Sequence, residues 1–186
     1  MADILDVPEL RPCIWKLTVA EYQRLGQVGL IDRNTELLQG IVVHKMNKTP
    51  LHTSTVRKLQ KWLANQIGGD AFIQKEDPLT MGNSEPEPDL AVIHGTERDF
   101  DERHPTTADW VIEVAVTTLA VDAAKADIYS SAGVPKYWLV IPAARTIRVH
   151  EGIQDGTYRV VRDHVFGSDD AVDNSVTDAL DLLFRS

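Results

Sequence analysis

Two acidic residues stand in stretches of sequence that otherwise predict buried β-strands. Asp89 follows Pro88 at the start of an apolar run ending at Ile93, and Glu113 lies inside the apolar run 110–116. A charge in such a run is costly to bury unless it is paired, hydrogen-bonded or bound to a cation. Two neighbouring strands that each carry a carboxylate at one end can hold Mg²⁺ or Mn²⁺, because these hard cations prefer oxygen ligands.

A metal ion held in this way would support phosphodiester hydrolysis. It lowers the pKa of bound water and neutralises charge that develops on a phosphate. The spacing alone leaves a structural alternative open. Asp89 could simply open a strand, while Glu113 pairs with a neighbouring lysine.

A third candidate residue is Lys125, on a helix that follows the Glu113 strand. Asp122, Lys125 and Tyr129 are spaced i, i+3 and i+7, so they share one helix face. A lysine there could orient the attacking water or stabilise the pentavalent phosphate. The alternative is an intrahelical pair between Asp122 and Lys125, worth about a few tenths of a kcal/mol.

The elements around these residues alternate between strands and helices. Thr18 and Glu21 have the spacing of a capping box, which predicts a short helix ending near Gly29. The Gln39-Gly40 turn predicts a β-hairpin over 36–46, and Pro50 begins an amphipathic helix that runs to Gly68-Gly69. Further strands are predicted near 71–74, over 88–93, 110–116 and 136–141, and as a closing hairpin of 146–150 with 158–162, with one more helix over 122–132.

This order predicts an α/β fold whose central strands are buried on both faces. The chain has 186 residues, of which 43% are hydrophobic and 25% charged, so one globular domain over 1–186 is expected. Cys13 is the only cysteine, and no apolar run is long enough to span a membrane. We therefore expect a soluble, cytoplasmic protein of bacterial type. The acidic segment from Asp169 to Asp181 gives no clear prediction.

The net charge of −9 conceals an uneven distribution of charge. Residues 1–75 carry ten Lys or Arg against seven Asp or Glu, and the segment 41–69 has no acidic residue at all. This segment could form a ridge that faces DNA phosphates, although charge runs commonly mark a solvated helix face. Its cationic side chains are Lys45, Lys48, Arg57, Lys58 and Lys61.

Six motifs in order carry a resemblance to the Uma family of bacterial PD-(D/E)XK nuclease-like proteins. They extend over about 18–161, and their number and order make the resemblance specific. The motifs are Glu36-Leu-Leu-x-Gly40, Thr49-Pro50-Leu51-His52, Pro88-Asp89-Leu90, Val111-Ile112-Glu113-Val114, Asp122-x-x-Lys125-x-x-x-Tyr129 and Ala132-Gly133-Val134-Pro135-Lys136-Tyr137-Trp138-Leu139-Val140.

The resemblance implies a restriction-endonuclease-like core, with a mixed central sheet flanked by helices and metal ligands on neighbouring strands. The parent motif has a lysine two positions after the second acid, where this chain has Ala115. In the family a lysine on the following helix is thought to replace it, and Lys125 matches that position. Glu36 matches an acidic position that adds a ligand or supports one, and His52 matches a helix histidine near the site.

Two positions depart from the pattern of many relatives. Ile41 and Val116 stand where those relatives have an acidic and a polar residue, which implies fewer polar groups around the site. The set of Asp89, Glu113 and Lys125 is intact.

The expected function is a Mg²⁺- or Mn²⁺-dependent DNA endonuclease with Asp89 and Glu113 as metal ligands. Lys125, Glu36 and His52 complete the expected catalytic set. The alternative is a nuclease-fold protein that binds DNA or regulates without turnover. A homodimer could form through the Lys136–Val140 region or through the closing hairpin.

Overall fold

The computed structural model describes residues 7–168 and 173–185. Its centre is a six-stranded mixed β-sheet flanked by helices, in the strand order β3-β4-β5-β6-β7-β8, and β1 and β2 form a separate hairpin. The strands are β1 Thr35–Leu38, β2 Ile41–His44, β3 Ala71–Gln74, β4 Leu90–His94, β5 Trp110–Val114, β6 Lys136–Ile141, β7 Thr146–Gln154 and β8 Thr157–Val165. The helices are α1 Val19–Gln27, α2 Pro50–Leu63, α3 Leu119–Ser131 and α4 Asn174–Phe184.

The sheet is antiparallel except between β5 and β6, which are parallel. A parallel pair needs a crossover connection, and α3 provides it. In the antiparallel pair β4 and β5, Leu90 lies opposite Ile112. This register brings the start of β4 beside the end of β5, so Asp89 and Glu113 meet although 24 residues separate them.

Each face of the sheet is covered by one or more helices that pack on it through apolar residues. On one face α2 and α4 pack on the sheet, where Trp62, Trp110 and Trp138 form an aromatic cluster. On the other face α3 packs through residues that include Tyr129, against Tyr137 of β6. Helix α3 packs against β6 and β8, and from there the side chains of Lys125 and Tyr129 reach Glu113 on β5.

The predicted α/β class, with a mixed central sheet between helices, is confirmed. The capping box of Thr18 and Glu21 forms at the start of α1, and the hairpin of β1 and β2 turns at Gln39-Gly40. Helix α2 ends at Leu63, earlier than predicted, and α3 begins at Leu119, earlier than predicted. The closing hairpin of β7 and β8 is longer than predicted, because both strands extend to the Asp155-Gly156 turn.

Helix α4 lies in the acidic segment from Asp169 to Asp181, for which no clear prediction was possible, and extends beyond it. It begins after the cap residue Asp173, whose side chain accepts a hydrogen bond from the backbone N–H of Ser175. Residues 169–172 of the segment lie outside the described residues. Within the described part of the chain, no helix is long and apolar enough to cross a membrane.

The prediction that a dimer could form through the Lys136–Val140 region is wrong, because the region is buried in the central sheet. It forms β6, which lies between β5 and β7 with its residues from Tyr137 to Val140 fully buried. An apolar run at an interface and an apolar run in a central strand have the same composition, so the sequence could not distinguish them.

Gly40 holds the β1–β2 hairpin close to the segment before α1. Its φ is +83°, and a Cβ built there would lie 2.7 Å from Lys16 Cβ and 3.0 Å from the Leu17 carbonyl oxygen. Gly29 has a similar φ of +75°, but a Cβ there would meet nothing within 4 Å. A substitution at Gly29 therefore introduces backbone strain alone, whereas one at Gly40 introduces backbone strain and a steric clash.

We expect Gly29→Ala to cost roughly 1–2 kcal/mol of unfolding free energy, the ordinary penalty for a left-handed residue with a Cβ. Gly40→Ala should cost clearly more, because the collision with backbone atoms adds to the same penalty. Urea unfolding of both variants measures the difference. Equal losses would show that the approach of the hairpin to residues 16–17 is not tight.

Candidate active site

Asp89 and Glu113 hold each other through the backbone of the neighbouring strand. The Asp89 N–H donates to Glu113 Oε2 at 3.2 Å, and the Val114 N–H donates to Asp89 Oδ2 at 2.8 Å. The two residues are 7% and 3% exposed. The two hydrogen bonds therefore tie the start of β4 to the end of β5 and hold the acids side by side.

Lys125 reaches this pair from α3 and is itself 4% exposed. Its Nζ lies 2.9 Å from Glu36 Oε2, 3.0 Å from Glu113 Oε1 and 3.7 Å from Asp122 Oδ1. The intrahelical contact with Asp122 is therefore present and is the longest of the three. Lys125 mainly joins three different elements, β1, β5 and α3.

Glu36 and His52 also lie in the cluster, as the motif series predicts. Glu36 is on β1, contacts Lys125, and accepts a hydrogen bond from the Glu87 N–H at 3.2 Å. His52 is in the first turn of α2, where Thr49 caps the helix by accepting from the His52 N–H. The His52 Nε2 lies 3.1 Å from both carboxylate oxygens of Asp89.

Two contacts in the cluster had no role in the sequence prediction. Tyr129 donates its hydroxyl proton to Glu113 Oε1 at 2.7 Å, so that oxygen accepts from both Tyr129 and Lys125. Thr118 donates to Asp122 Oδ2. The shared helix face of Asp122, Lys125 and Tyr129 pointed to Tyr129, but helix spacing could not show that its hydroxyl reaches β5.

The electrostatic balance of the site is set by burial and by an excess of acid. The site holds four buried carboxylates, those of Glu36, Asp89, Glu113 and Asp122, and one buried ammonium, that of Lys125, which contacts all of them except Asp89. The pKa of Glu113 is raised to about 8, mainly by burial; Lys125 lowers it, and the nearby acids Asp122, Asp89 and Glu36 contribute to the rise. Burial likewise raises the pKa of Asp122.

Lys125 responds in the opposite sense. Burial alone would lower the pKa of Lys125, but Glu113, Glu36 and Asp122 together raise it above its ordinary value. The lysine therefore remains an ammonium at neutral pH and cannot serve as a general base. Any chemical role for it must use positive charge and hydrogen-bond donation.

The cluster forms the floor of an open cleft of about 360 Å³. Lys45 and Lys48 line this cleft, but each is paired with an acid, Lys45 with Glu87 at 2.5 Å and Lys48 with Glu76 at 2.6 Å. Arg57, Lys58 and Lys61 lie outside the cleft lining, exposed on α2. The basic segment is thus divided between the cleft and an outer helix face.

The donor set of the cluster suits a hard divalent cation. Among residues 7–168 and 173–185, no group of three or more His, Cys, Asp or Glu side chains is arranged to hold a metal ion. Mg²⁺, however, is commonly held by one or two carboxylates, with waters filling its other positions. Asp89 and Glu113 are adjacent, acidic and open to the cleft, so a site with two protein ligands fits the residues present.

The mixed sheet between helices is the fold of a restriction-endonuclease-like protein, and comparisons with known proteins show the family and the fold. The chain belongs to the Uma2 family, whose model carries the description putative restriction endonuclease and matches residues 19–181. The resemblance predicted from the six motifs is therefore confirmed. No curated protein matches the chain.

A solved structure extends the agreement to the fold. The crystal structure of a putative nuclease belonging to DUF820 from Anabaena variabilis ATCC 29413 superposes with a TM-score of 0.69. The superposition covers 91% of this chain and 98% of that chain, at 18% sequence identity. At this identity the likeness shows a common fold.

The raised pKa of Glu113 predicts how the stability of the metal-free protein depends on pH. The folded state holds this proton more tightly than the unfolded state, in which Glu113 has its ordinary pKa of 4.5. The contribution of Glu113 to stability is therefore full below about pH 4.5 and is lost as the pH rises towards about 8. Glu113→Gln should make the free energy of unfolding depend less on pH in this range, because glutamine does not ionise.

Urea unfolding in EDTA between pH 5 and 8 would measure the effect. Glu97→Gln, which removes a carboxylate from an exposed position, is the matched control and should keep the native slope. If Glu113→Gln and Glu97→Gln had the same slope as the native chain, Glu113 would ionise normally in the fold.

Proposed function

We propose that this chain is a Mg²⁺- or Mn²⁺-dependent endonuclease that hydrolyses DNA phosphodiester bonds. The observation that carries the proposal is the excess of buried acid: four carboxylates and one ammonium share the floor of a cleft that opens to solvent. Uncompensated buried carboxylates are costly, and a divalent cation from solvent would compensate them. A charge cluster needed only for stability would not require an opening.

In the proposal Asp89 and Glu113 hold the metal ion. The ion, when bound, would activate a water molecule and neutralise charge on the phosphate. The Val114 N–H and His52 hold Asp89 in place, and Tyr129 and Lys125 hold Glu113 through its Oε1. Two fixed acids reduce the reorganisation needed when the ion binds.

Lys125 acts in the proposal as a fixed ammonium. It orients the attacking water or stabilises negative charge on the pentavalent phosphate, and its raised pKa keeps it charged. Glu36 and Asp122 hold the ammonium against β5 from opposite sides of the cluster. Glu36 is therefore a positioning residue for Lys125, and His52 is a positioning residue for Asp89.

DNA is the substrate in this proposal, since the family is described as a putative restriction endonuclease. Lys45 and Lys48 lie in the cleft and could contact phosphates after these displace Glu87 and Glu76. Arg57, Lys58 and Lys61 lie about 10–17 Å along α2 from its first residue, Pro50, from the rise of 1.5 Å per residue. A duplex longer than a few base pairs could reach both groups.

One observation favours a second candidate, a DNA-binding or regulatory protein without turnover. The ammonium of Lys125 already contacts three carboxylates, and the cleft lysines contact two more. Such pairing is also the arrangement of a structural charge network. Cleavage and metal binding distinguish the two candidates.

We expect the native protein to nick plasmid DNA when Mn²⁺ or Mg²⁺ is added, and to lose this activity in EDTA. Asp89→Asn should lower cleavage by about a hundredfold or more, because it removes a charged metal ligand while keeping its shape. The metal should also raise the melting temperature of the native chain, by roughly 2–4 °C per kcal/mol of binding free energy. Asp89→Asn should abolish most of this shift.

Asp109→Asn is the matched control for this experiment. Asp109 is an exposed aspartate beside β5, at the end of that strand opposite to Glu113. This variant should retain both cleavage and the thermal shift. A native chain that gains stability from the metal but never cleaves would support the second candidate, and a native chain with neither response would refute the metal site.

The DNA interface has its own test in the salt dependence of binding. Each phosphate contact that is lost removes about one unit from the slope of log affinity against log salt concentration. We expect Arg57→Gln, Lys58→Gln and Lys61→Gln together to weaken binding equally for unrelated DNA sequences and to flatten this slope. Fluorescence anisotropy of a labelled duplex, measured with the Asp89→Asn chain to prevent cleavage, gives the slope.

The two cleft lysines provide a comparison of the same kind. Lys45→Gln with Lys48→Gln should flatten the slope less per residue removed, because both side chains already have acidic partners. An unchanged slope in the triple variant would leave α2 as a solvated face without a role in DNA binding.

A further inference from the structure

The outer edge of β8 is the most exposed strand edge of the central sheet. In the described part of the chain, β8 ends the strand order and pairs only with β7. It is nine residues long, whereas β3 at the other end of the sheet has four. Val161 and Val165 on β8 are 52% and 45% exposed.

Natural proteins protect such edges with lysine, proline, bulges or short strands, because an open edge pairs with other strands. β8 contains neither lysine nor proline. The charged residues of this long edge, Arg159, Arg162 and Asp163, are of both signs, so they oppose pairing with a strand of like charge and favour a strand whose charges complement them.

The hydrogen-bond pattern shows which residues present their backbone to this edge. Phe166 donates its N–H to the Arg145 carbonyl at 2.9 Å, next to the paired residues Thr146 and Val165. Bonded and non-bonded pairs alternate along an antiparallel ladder. The backbone groups of Val165, and of every second residue before it in the unbroken register, Asp163 and Val161, therefore point away from β7.

We propose that a second copy of this chain pairs with β8 in an antiparallel, two-fold symmetric arrangement centred on Val161. This register places Val161 opposite Val161 of the second copy. It also places Arg159 opposite Asp163 of the second copy, and Asp163 opposite its Arg159. Opposite charges that face each other across antiparallel strands stabilise the pair, and two such pairs form in each dimer.

Neighbouring registers do not match in this way. Centring the pair on Arg159 or on Asp163 places like charges opposite each other. Centring it on Val160 or on Arg162 places an exposed valine opposite a charged residue. Charge complementarity therefore selects both the second copy as the partner and Val161 as the centre.

The present partners of these charges leave them available. Arg159 contacts Asp155 at 3.5 Å in an exposed pair, which contributes little. Asp163 accepts two hydrogen bonds from Arg148, and its carboxylate has lone pairs for a second arginine. On the other face of the strand, Arg162 would lie opposite Val160 and can cover it with its aliphatic stem.

The mass of the full chain in solution tests the proposal. Sedimentation equilibrium should show a species of twice the 20.7 kDa chain mass whose fraction rises with concentration. Val161→Pro should give a monomer with native circular dichroism, because the N–H that it removes points away from β7 and an edge strand tolerates proline there. A native chain that stays monomeric at high micromolar concentration would overturn the proposal.

A charge exchange tests the register. Arg159→Asp alone should raise the dimer dissociation constant about tenfold or more, because it places like charges opposite each other twice. Combining Arg159→Asp with Asp163→Arg restores opposite charges and should recover most of the affinity. Arg162→Asp, the same charge change on the other face of β8, is the matched control and should weaken the dimer less than Arg159→Asp.

A dimer that is equally strong in Val161→Pro, or that is not recovered by the charge exchange, would place the interface elsewhere and refute this one. None of these residues belongs to the proposed metal or DNA site. The result therefore does not depend on whether the chain cleaves DNA.

Discussion

The buried ammonium of Lys125 is the interaction on which the candidate site depends. It contacts acids from three different elements, β1, β5 and α3. A buried charge pair contributes little net stability compared with apolar packing, but removing one partner leaves the other uncompensated and is strongly destabilising. The main effect of the cluster is therefore to specify how the β1–β2 hairpin, the sheet and α3 pack together. Its net contribution to the free energy of unfolding is small.

The cleft above Lys125 follows from the same constraint. A fully enclosed cluster with this excess of acid would retain protons on its carboxylates, and the raised pKa values of Glu113 and Asp122 are consistent with that tendency. Opening one side to solvent allows a cation to compensate the charge instead. In the proposed function, the same electrostatic imbalance that costs stability in the metal-free chain becomes affinity for the metal.

Much of this architecture was accessible from the sequence, since its main features are local. Capping residues, apolar periodicity and the Gln39-Gly40 turn predict most of the helices and strands, and the motif order predicts the family. The convergence of Glu36, His52, Asp89, Glu113 and Lys125 was expected from the resemblance. The register that brings Asp89 beside Glu113 could not be derived from the residues alone, because it depends on which strands pair.

Other features depend on contacts between residues far apart in the chain. The acids that pair with Lys45 and Lys48 come 42 and 28 residues later in the chain. The sequence of the basic segment therefore does not show that these two lysines have acidic partners in the fold. The hydroxyl of Tyr129 reaches Glu113 because of the way α3 packs on the sheet, which helix spacing does not show. The apolar Lys136–Val140 run has the composition of an interface as well as that of a central strand, and only the strand order shows that β5 and β7 flank it.

The order of the cluster along the chain has a consequence for synthesis. Glu36, Asp89, Glu113 and Asp122 all precede Lys125, and 89 residues separate Glu36 from the lysine that it contacts. A growing chain emerges from its N-terminus, and its domains generally fold as units once their contacts exist. A nascent chain that ends between residues 122 and 125 therefore carries all four acids without the ammonium that pairs with them. The complete cluster forms only after residue 125 has been synthesised, and before that point only protons or cations from solvent compensate its carboxylates.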